Sequence, residues 1–196
     1  MLAIYQGWDE PGFTSFDELQ FLGCNDDAPG SQQSRVKVTA PAGFVYVQVG
    51  GYRKAGGDLA FKFRAKPGND SLFFAREADE SYLSSYLNTR YATTGSGEPD
   101  PCGSIGRTVW YSYYAPQGSR LLASANGSLD TVLAAYVGDA SVGSFGELSL
   151  LACNDDFGQS SHSQVDVYVG AGQTVYFQVG GYNSAYGDLS FDLEAW

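Results

Sequence analysis

The chain has 196 residues and a formal net charge of −11, with 15% aromatic and only 17% charged residues. Glycine occurs 25 times, whereas methionine and histidine each occur once. This composition is typical of short strands joined by tight turns. The negative charge argues against nucleic acid and anionic membranes as partners, and no apolar window approaches the roughly 18 residues of a membrane span. A single histidine excludes a metal site with several imidazole ligands. These features predict an acidic, all-β binding or accessory module.

An internal repeat organises the chain. Residues 2–65 contain LAIYQG, ELQFLGCNDD, VYVQVGGY and GGDLAFKF, and residues 133–195 contain LAAYVG, ELSLLACNDD, VYFQVGGY and YGDLSFDL in the same order. A period of this length indicates duplicated domains and not a solenoid. Only the second copy has further residues upstream of the repeat. We therefore predict that 1–65 is the C-terminal half of a truncated repeat, that the chain begins inside a domain, and that 66–196 is a complete domain.

Strands are predicted throughout both copies. In the first copy they are LAIYQ (2–6), LQFLGC (19–24), RVKVTA (35–40), VYVQVGGY (45–52) and DLAFKFR (58–64). The second copy repeats these five and adds RYATTG (90–95), TVWYSYYA (108–115) and RLLASA (120–125). Segment 70–87 is predicted to hold one helical turn, and 66–69 to be a linker. Short Gly, Asn, Asp and Ser clusters between the strands favour a tandem repeat of antiparallel β-sandwiches.

Half of a sandwich leaves sheet edges and one apolar face uncovered. Such surfaces favour pairing or aggregation. For the truncated copy we expect docking on the complete copy, exchange between chains with self-association, or poor order.

The second copy carries a combination of markers that resembles a known family. They are GEPDPCG, TVWYSYYAP, SLDTVLAAYVG, ACNDD and VGGY. The chain resembles the bacterial pre-peptidase C-terminal domain, a module appended to many secreted proteases, and is similar in outline to the collagen-binding domains of clostridial collagenases. The resemblance covers residues 68–195 in full and 2–64 as a C-terminal half. It implies an extracellular, non-catalytic, jelly-roll-like β-sandwich that is often stabilised by calcium.

The resemblance also implies where calcium binds. In the collagenase relatives, acidic residues of the linker and of the following loop form the site. Asn69 and Asp70 match the linker position, and Glu98 and Asp100 lie in the GEPDP loop. Oxygen-rich side chains are the ligands that calcium prefers. The alternative is that Asn and Asp serve turn chemistry and that the acidic loop is simply exposed.

A second acidic motif occurs in both copies. Asn154, Asp155 and Asp156 recur as residues 25–27. The motif contains half of a calcium loop, but it lacks the spacing and the distal glutamate of an EF-hand. An Asx-type turn between strands is the favoured alternative.

The three cysteines allow one disulfide. Cys24 and Cys153 occupy equivalent positions, and Cys102 lies in the half that only the second copy has. One bridge for each complete domain predicts a Cys102–Cys153 disulfide, with Cys24 left unpaired. The alternative is three free thiols.

The aromatic residues fall into two groups. The strand TVWYSYYA carries four, and it is interpreted as core with both faces covered, although a stacking platform for sugars or polypeptides is the alternative. These four are Trp110, Tyr111, Tyr113 and Tyr114. Tyr82, Tyr86 and Tyr91 are the candidates for exposed ligand contacts.

Catalysis has little support in the sequence. His162 aligns with Gln33 of the first copy, and no nucleophile or metalloprotease motif is present. We predict that the chain is not an enzyme but a secreted, calcium-stabilised accessory module of a larger protease-associated bacterial protein. The alternative is a module of a surface adhesin that binds an extracellular polysaccharide or a protein such as collagen.

Overall fold

A computed structural model describes residues 1–7, 16–40, 44–78 and 81–196. The described chain consists of strands and single 3₁₀ turns, which confirms the all-β class. It divides into two compact units, Met1–Lys62 and Phe63–Trp196. No helix in these described ranges has the length and apolar character that spanning a membrane requires.

The first unit contains one small antiparallel sheet. Its strands are β1 (Leu2–Gly7), β2 (Gln20–Asn25) and β3 (Phe44–Val49), in the order β2-β1-β3. The pairing of β1 with β2 shifts register between Ile4 and Tyr5. The strand β1 therefore lies at the centre and is paired on both sides.

The second unit is a β-sandwich of two sheets. Its strands are β4 (Arg76–Glu77), β5 (Tyr82–Asn88), β6 (Ile105–Ala115), β7 (Ser119–Gly127), β8 (Thr131–Gly138), β9 (Ser149–Asn154), β10 (Ser163–Val169), β11 (Gln173–Tyr182) and β12 (Asp188–Ala195). One sheet has the order β10-β7-β12-β5 and the other β4-β6-β11-β8-β9. All strand pairs are antiparallel except the short parallel pair β4–β6. This arrangement confirms the antiparallel β-sandwich.

Alternating apolar residues of both sheets form the main core. Tyr111 and Phe177 of one sheet meet Phe191 of the other, and the rings of Tyr111 and Phe191 stack at 4.1 Å. Period-two alternation places every second side chain of a strand on the same face, so the strands supply the core from one face each.

A second apolar cluster covers the outer face of the five-stranded sheet. Trp110 and Tyr136 lie on this face and are packed under Leu72 and under Phe145 of the β8–β9 loop. Trp110 is fully buried, as is Tyr111 on the opposite face of the same strand. The predicted core role of the aromatic strand is therefore confirmed for these positions, whereas its last aromatic residue, Tyr114, is 48% exposed.

Two strands predicted in the first copy are wrong. Residues 35–40 and 58–64 do not form strands, and Leu59, Phe61 and Phe63 are exposed. Their counterparts in the second unit, β10 and β12, pair only with β7 and β5. No strand of the described first unit corresponds to β5 or β7. Without partner strands, a segment cannot form the hydrogen-bonded ladder that defines a strand.

The strands β1, β2 and β3 of the first unit correspond to β8, β9 and β11, of which β8 pairs with each of the other two. Leu2 pairs with Val49 in the first unit. Their counterparts Leu133 and Val179 pair in the second unit. The register shift of β1 with β2 also recurs between β8 and β9. The two sheets thus share one pairing register.

Segment 70–95 differs from its prediction. The predicted strand over 90–95 is wrong, because a 3₁₀ turn occupies Thr89–Tyr91 and only a single bridge joins Thr93 to Thr108. The expected helical turn is the 3₁₀ turn Leu72–Phe74. The strand β5, which follows it, is not predicted from the sequence.

Candidate functional site

The predicted calcium ligands of the linker bind the protein's own groups. Asn69 is buried, and its Nδ2 donates to the carbonyl oxygen of Trp110 at 3.0 Å. Asp70 accepts hydrogen bonds from the backbone N–H and the hydroxyl of Thr93, and the ammonium of Lys66 lies 2.8 Å from its Oδ2. Both residues tie the linker to the sandwich.

The acidic residues of the GEPDP loop are hydrogen-bonded in a similar way. Glu98 accepts from the backbone N–H of Gly95 at 2.7 Å and from the hydroxyl of Thr108. Asp100 accepts from the N–H groups of Ser104 and Ile105 at 2.8 and 3.1 Å. These contacts favour the turn-forming role for the loop, and a calcium site at the linker stays a prediction.

Three carboxylates converge elsewhere in the second unit. Oxygens of Asp130, Asp155 and Asp156 all lie within 4.8 Å of one another, which is the one such grouping among the described residues. Asp130 immediately precedes β8, and the other two follow β9. We call these three residues the aspartate cluster. Its second and third members belong to the repeated acidic motif, whereas Asp130 is not predicted from the sequence.

An asparagine turn positions the cluster. Asn154 Nδ2 donates to the carbonyl oxygen of Asp156 at 2.9 Å, and Asn154 Oδ1 accepts from the N–H of Gln164 at 2.9 Å. Asn25 of the first unit makes the corresponding bonds to Asp27 and Arg35. The Asx-turn interpretation therefore describes the asparagine, while the aspartates that follow remain free to face Asp130.

The aspartate cluster contains unsatisfied buried oxygens. Asp130 Oδ1 and Asp155 Oδ1 are both inaccessible to solvent and have no hydrogen-bond partner. Burial raises the pKa of Asp155, and the neighbouring charges of Asp130 and Asp156 raise it further. A buried acceptor without a partner is costly, and a cation removes this cost. An all-oxygen, negatively charged donor set fits calcium.

The raised pKa of Asp155 predicts how pH affects stability when no cation is bound. The native state binds a proton on the Asp155 carboxylate more tightly than the unfolded state does. The free-energy cost of keeping this carboxylate charged in the native state is therefore relieved as the pH falls from 7 toward the ordinary pKa of 3.8. In chelator at pH 7, Asp155→Asn is expected to raise the melting temperature, because the neutral amide carries no charge to be desolvated or to repel Asp130 and Asp156. Thermal melts between pH 4 and 7 measure this effect. The exposed Asp139→Asn is the control, and an equal gain there would contradict the prediction.

A cleft lies on one side of the sandwich. Residues 67–69, Phe74, Arg76 and 85–87 enclose a cavity of about 380 Å³. The ring of Phe74 is 72% exposed. Of the predicted ligand contacts, the structure places Tyr86 in this cleft with 73% exposure.

The other two predicted ligand contacts do not line the cleft. Tyr82 lies on the same strand as Tyr86 and is 56% exposed. Tyr91 is 37% exposed and lies beside the guanidinium of Arg90 at 5.8 Å.

The predicted disulfide is confirmed. Cys102 is bonded to Cys153, with their Cα atoms 6.0 Å apart, and Cys24 is free and exposed. The bridge ties the GEPDP loop to β9. His162 lies in the β9–β10 turn, where its carbonyl oxygen accepts from the N–H of Phe157.

Comparisons with known proteins find similarity among solved structures, at low sequence identity. No family model matches it, and no curated protein matches it. A periplasmic lysozyme inhibitor of g-type lysozyme from Aeromonas hydrophila is similar at 13% identity and a TM-score of 0.40, over 62% of this chain and 96% of that one. The pre-peptidase C-terminal domain of a collagenase from Bacillus anthracis is similar at 12% identity and a TM-score of 0.38, over 69% of this chain and all of that one. The second of these belongs to the family that the sequence resembles.

Proposed function

We propose that the chain is a non-catalytic binding module of a larger extracellular protein and that its second unit binds calcium at the aspartate cluster. The observation that carries the calcium proposal is the pair of buried, unpartnered oxygens of Asp130 and Asp155. The disulfide supports an oxidising compartment, because such bonds persist mainly outside the cytosol.

The bound ion has a structural role in this proposal. Asp130 lies between β7 and β8, whereas Asp155 and Asp156 lie between β9 and β10. An ion held by all three carboxylates links these two turns and neutralises their mutual repulsion. A ligand that binds only the folded state stabilises it, so the ion holds one end of the sandwich together.

The first unit is, in this proposal, a partial copy of the second. Its shared pairing register and its repeated Asn25 turn support a tandem duplication. Among the described residues of the first unit, no third carboxylate groups with Asp26 and Asp27. That unit therefore provides an internal control for the calcium site. Self-association through the first unit stays a prediction.

Calcium is expected to raise the melting temperature of the second unit. At a concentration of 100 Kd it adds about 2.7 kcal/mol, which corresponds to roughly 10 °C for a unit of this size. The full chain is melted with calcium and with excess chelator, and amide exchange in β8 and β9 identifies the unit that responds.

Variants separate the aspartate cluster from other acidic groups. Asp155→Asn should abolish the calcium-induced shift, while Asp26→Asn, its counterpart in the first unit, should leave it unchanged. Loss of the shift in Asp70→Asn but not in Asp155→Asn would place the ion at the linker instead. The absence of any shift in the unmodified chain would refute calcium binding.

A further inference from the structure

The edge of the four-stranded sheet is open at β5. Two backbone bonds, from Ala195 N to Ser81 O at 2.7 Å and from Thr89 N to Gly187 O at 2.9 Å, show which residues of this edge face β12. Because residues of an antiparallel ladder alternate, the odd-numbered positions of β5 face β12. The even-numbered positions direct their N–H and C=O groups to the open side, where no described strand pairs with them. These positions are Tyr82, Ser84, Tyr86 and Asn88.

The cleft lies directly beside this open edge and has a polar floor. Ser85 is buried, and its hydroxyl oxygen accepts from Arg76 Nη1 and from the hydroxyl of Tyr111, both at 3.1 Å. Arg76 is exposed, and no described carboxylate lies within ion-pair distance of it. The remaining N–H groups of its guanidinium are thus available to a ligand.

The rim of the cleft is aromatic. Phe74 and Tyr86 line the cleft together with Arg76, and both expose most of their surface to solvent. Large apolar side chains that remain exposed next to a cavity are typical of contact surfaces. Among the described residues, the cleft therefore combines apolar side chains with one cation, Arg76, that has no carboxylate partner.

We propose that β5 receives an extended polypeptide segment as an added strand and that an acidic side chain of this segment enters the cleft and pairs with Arg76. An added strand supplies backbone donors and acceptors at the spacing of the open row, and every second side chain then faces the cleft. A carboxylate pairs with a guanidinium through charge-assisted hydrogen bonds, and it is the anionic group that a polypeptide side chain supplies. The inference rests on the proposed binding function, but it does not depend on the calcium ion.

The experiment uses the immobilised full chain and a phage-displayed library of random dodecapeptides. Enriched peptides are expected to alternate in hydrophobicity and to carry Asp or Glu at a fixed position. One enriched peptide is synthesised with a fluorescent label, and its Kd is measured by anisotropy. Replacing its acidic residue by the matching amide should weaken binding by about tenfold, as should Arg76→Gln in the protein. Arg120→Gln removes the same charge from β7 and should have no effect.

The edge itself is tested from both partners. Ser84→Pro removes one outward N–H without altering the bonds to β12, and it should weaken binding by a similar factor. If this variant fails to fold, peptides methylated at alternate backbone nitrogens provide the same test on the unmodified protein. One methylation pattern should abolish binding, and the complementary pattern should retain it.

Several outcomes would overturn the inference. They are a library that yields no enrichment, binding that is insensitive to methylation and to Arg76→Gln, and retention of the chain on collagen or polysaccharide in place of peptides. In the last case the proposed binding function stands while the edge-strand mode is refuted. Concentration-dependent self-association that Arg76→Gln abolishes would support the edge mode, with a second copy of the chain as the source of the segment. Failure of the calcium melt would leave the peptide result unaffected.

Discussion

Replacing both Cys102 and Cys153 by alanine is expected to lower the free energy of unfolding of the second unit by about 4 kcal/mol. The bridge closes a loop between residues 51 positions apart in the sequence, so its loss returns much conformational entropy to the unfolded chain. It also frees the GEPDP loop, whose Glu98 and Pro99 contact β11 through Gln178. The bridge therefore stabilises the second unit both by restraining the unfolded chain and by holding this loop against the sheet.

The measurement is urea unfolding of the full chain, followed by amide exchange in β6 and β9. Cys24→Ala is the matched control, because Cys24 holds the position of Cys153 in the first unit but is free. This control should leave the unfolding of the second unit unchanged. A double variant whose stability falls by less than about 1 kcal/mol would show that the bridge does little to restrain the unfolded chain.

Replacing Gln178 by leucine is expected to cost about 2–4 kcal/mol, the second largest effect. The side chain is fully buried in β11. Its Nε2 donates to the carbonyl oxygen of Pro99 at 3.1 Å and to Glu98 at 3.3 Å, and its Oε1 accepts from the hydroxyl of Tyr136 at 2.9 Å. Leucine has similar size but leaves these groups without their partner, and an unpaired buried polar group costs its full desolvation energy.

The first unit again supplies the control. Gln48 is the counterpart of Gln178, and its Oε1 accepts from the hydroxyl of Tyr5 at 3.2 Å. Because Gln48 is exposed, water replaces the lost bond, and Gln48→Leu should cost less than about 1 kcal/mol. Urea unfolding of both variants measures the difference. Equal losses of unfolding free energy in the two variants would contradict the prediction that burial makes the polar contacts of Gln178 the more costly ones to remove.

Much of the fold could be predicted from the repeat. Comparison of the two copies identifies the strands β8, β9 and β11, since both copies keep the same alternation. It also identifies the disulfide. Cys153 has a counterpart in Cys24, whereas Cys102 has no counterpart in the first copy, so only the second copy holds both cysteines of a bridge. These features depend on local pattern or on equivalence between copies, which a single sequence contains.

The features that the sequence does not reveal depend on partners distant along the chain. The segments 35–40 and 58–64 have strand-like alternation, but whether they pair is decided by β5 and β7 of a complete unit. Asp130 joins the aspartate cluster from the turn before β8, and no local motif links it to Asp155. The open edge at β5 escapes prediction because its residues, YLSSYLN, contain two serines at the centre and only weak strand character.

The pairing of β5 with β12 has a consequence for how the second unit folds. Asn88 and Asp188 are hydrogen-bonded although 100 residues separate them in the sequence. Closing so long a loop is entropically expensive, whereas β8 and β9 meet across a short connection. The strand β5 is therefore expected to join its sheet late on the folding pathway. Until it does, β12 itself presents an unpaired edge, so the nascent unit passes through a stage at which another chain could compete for that edge.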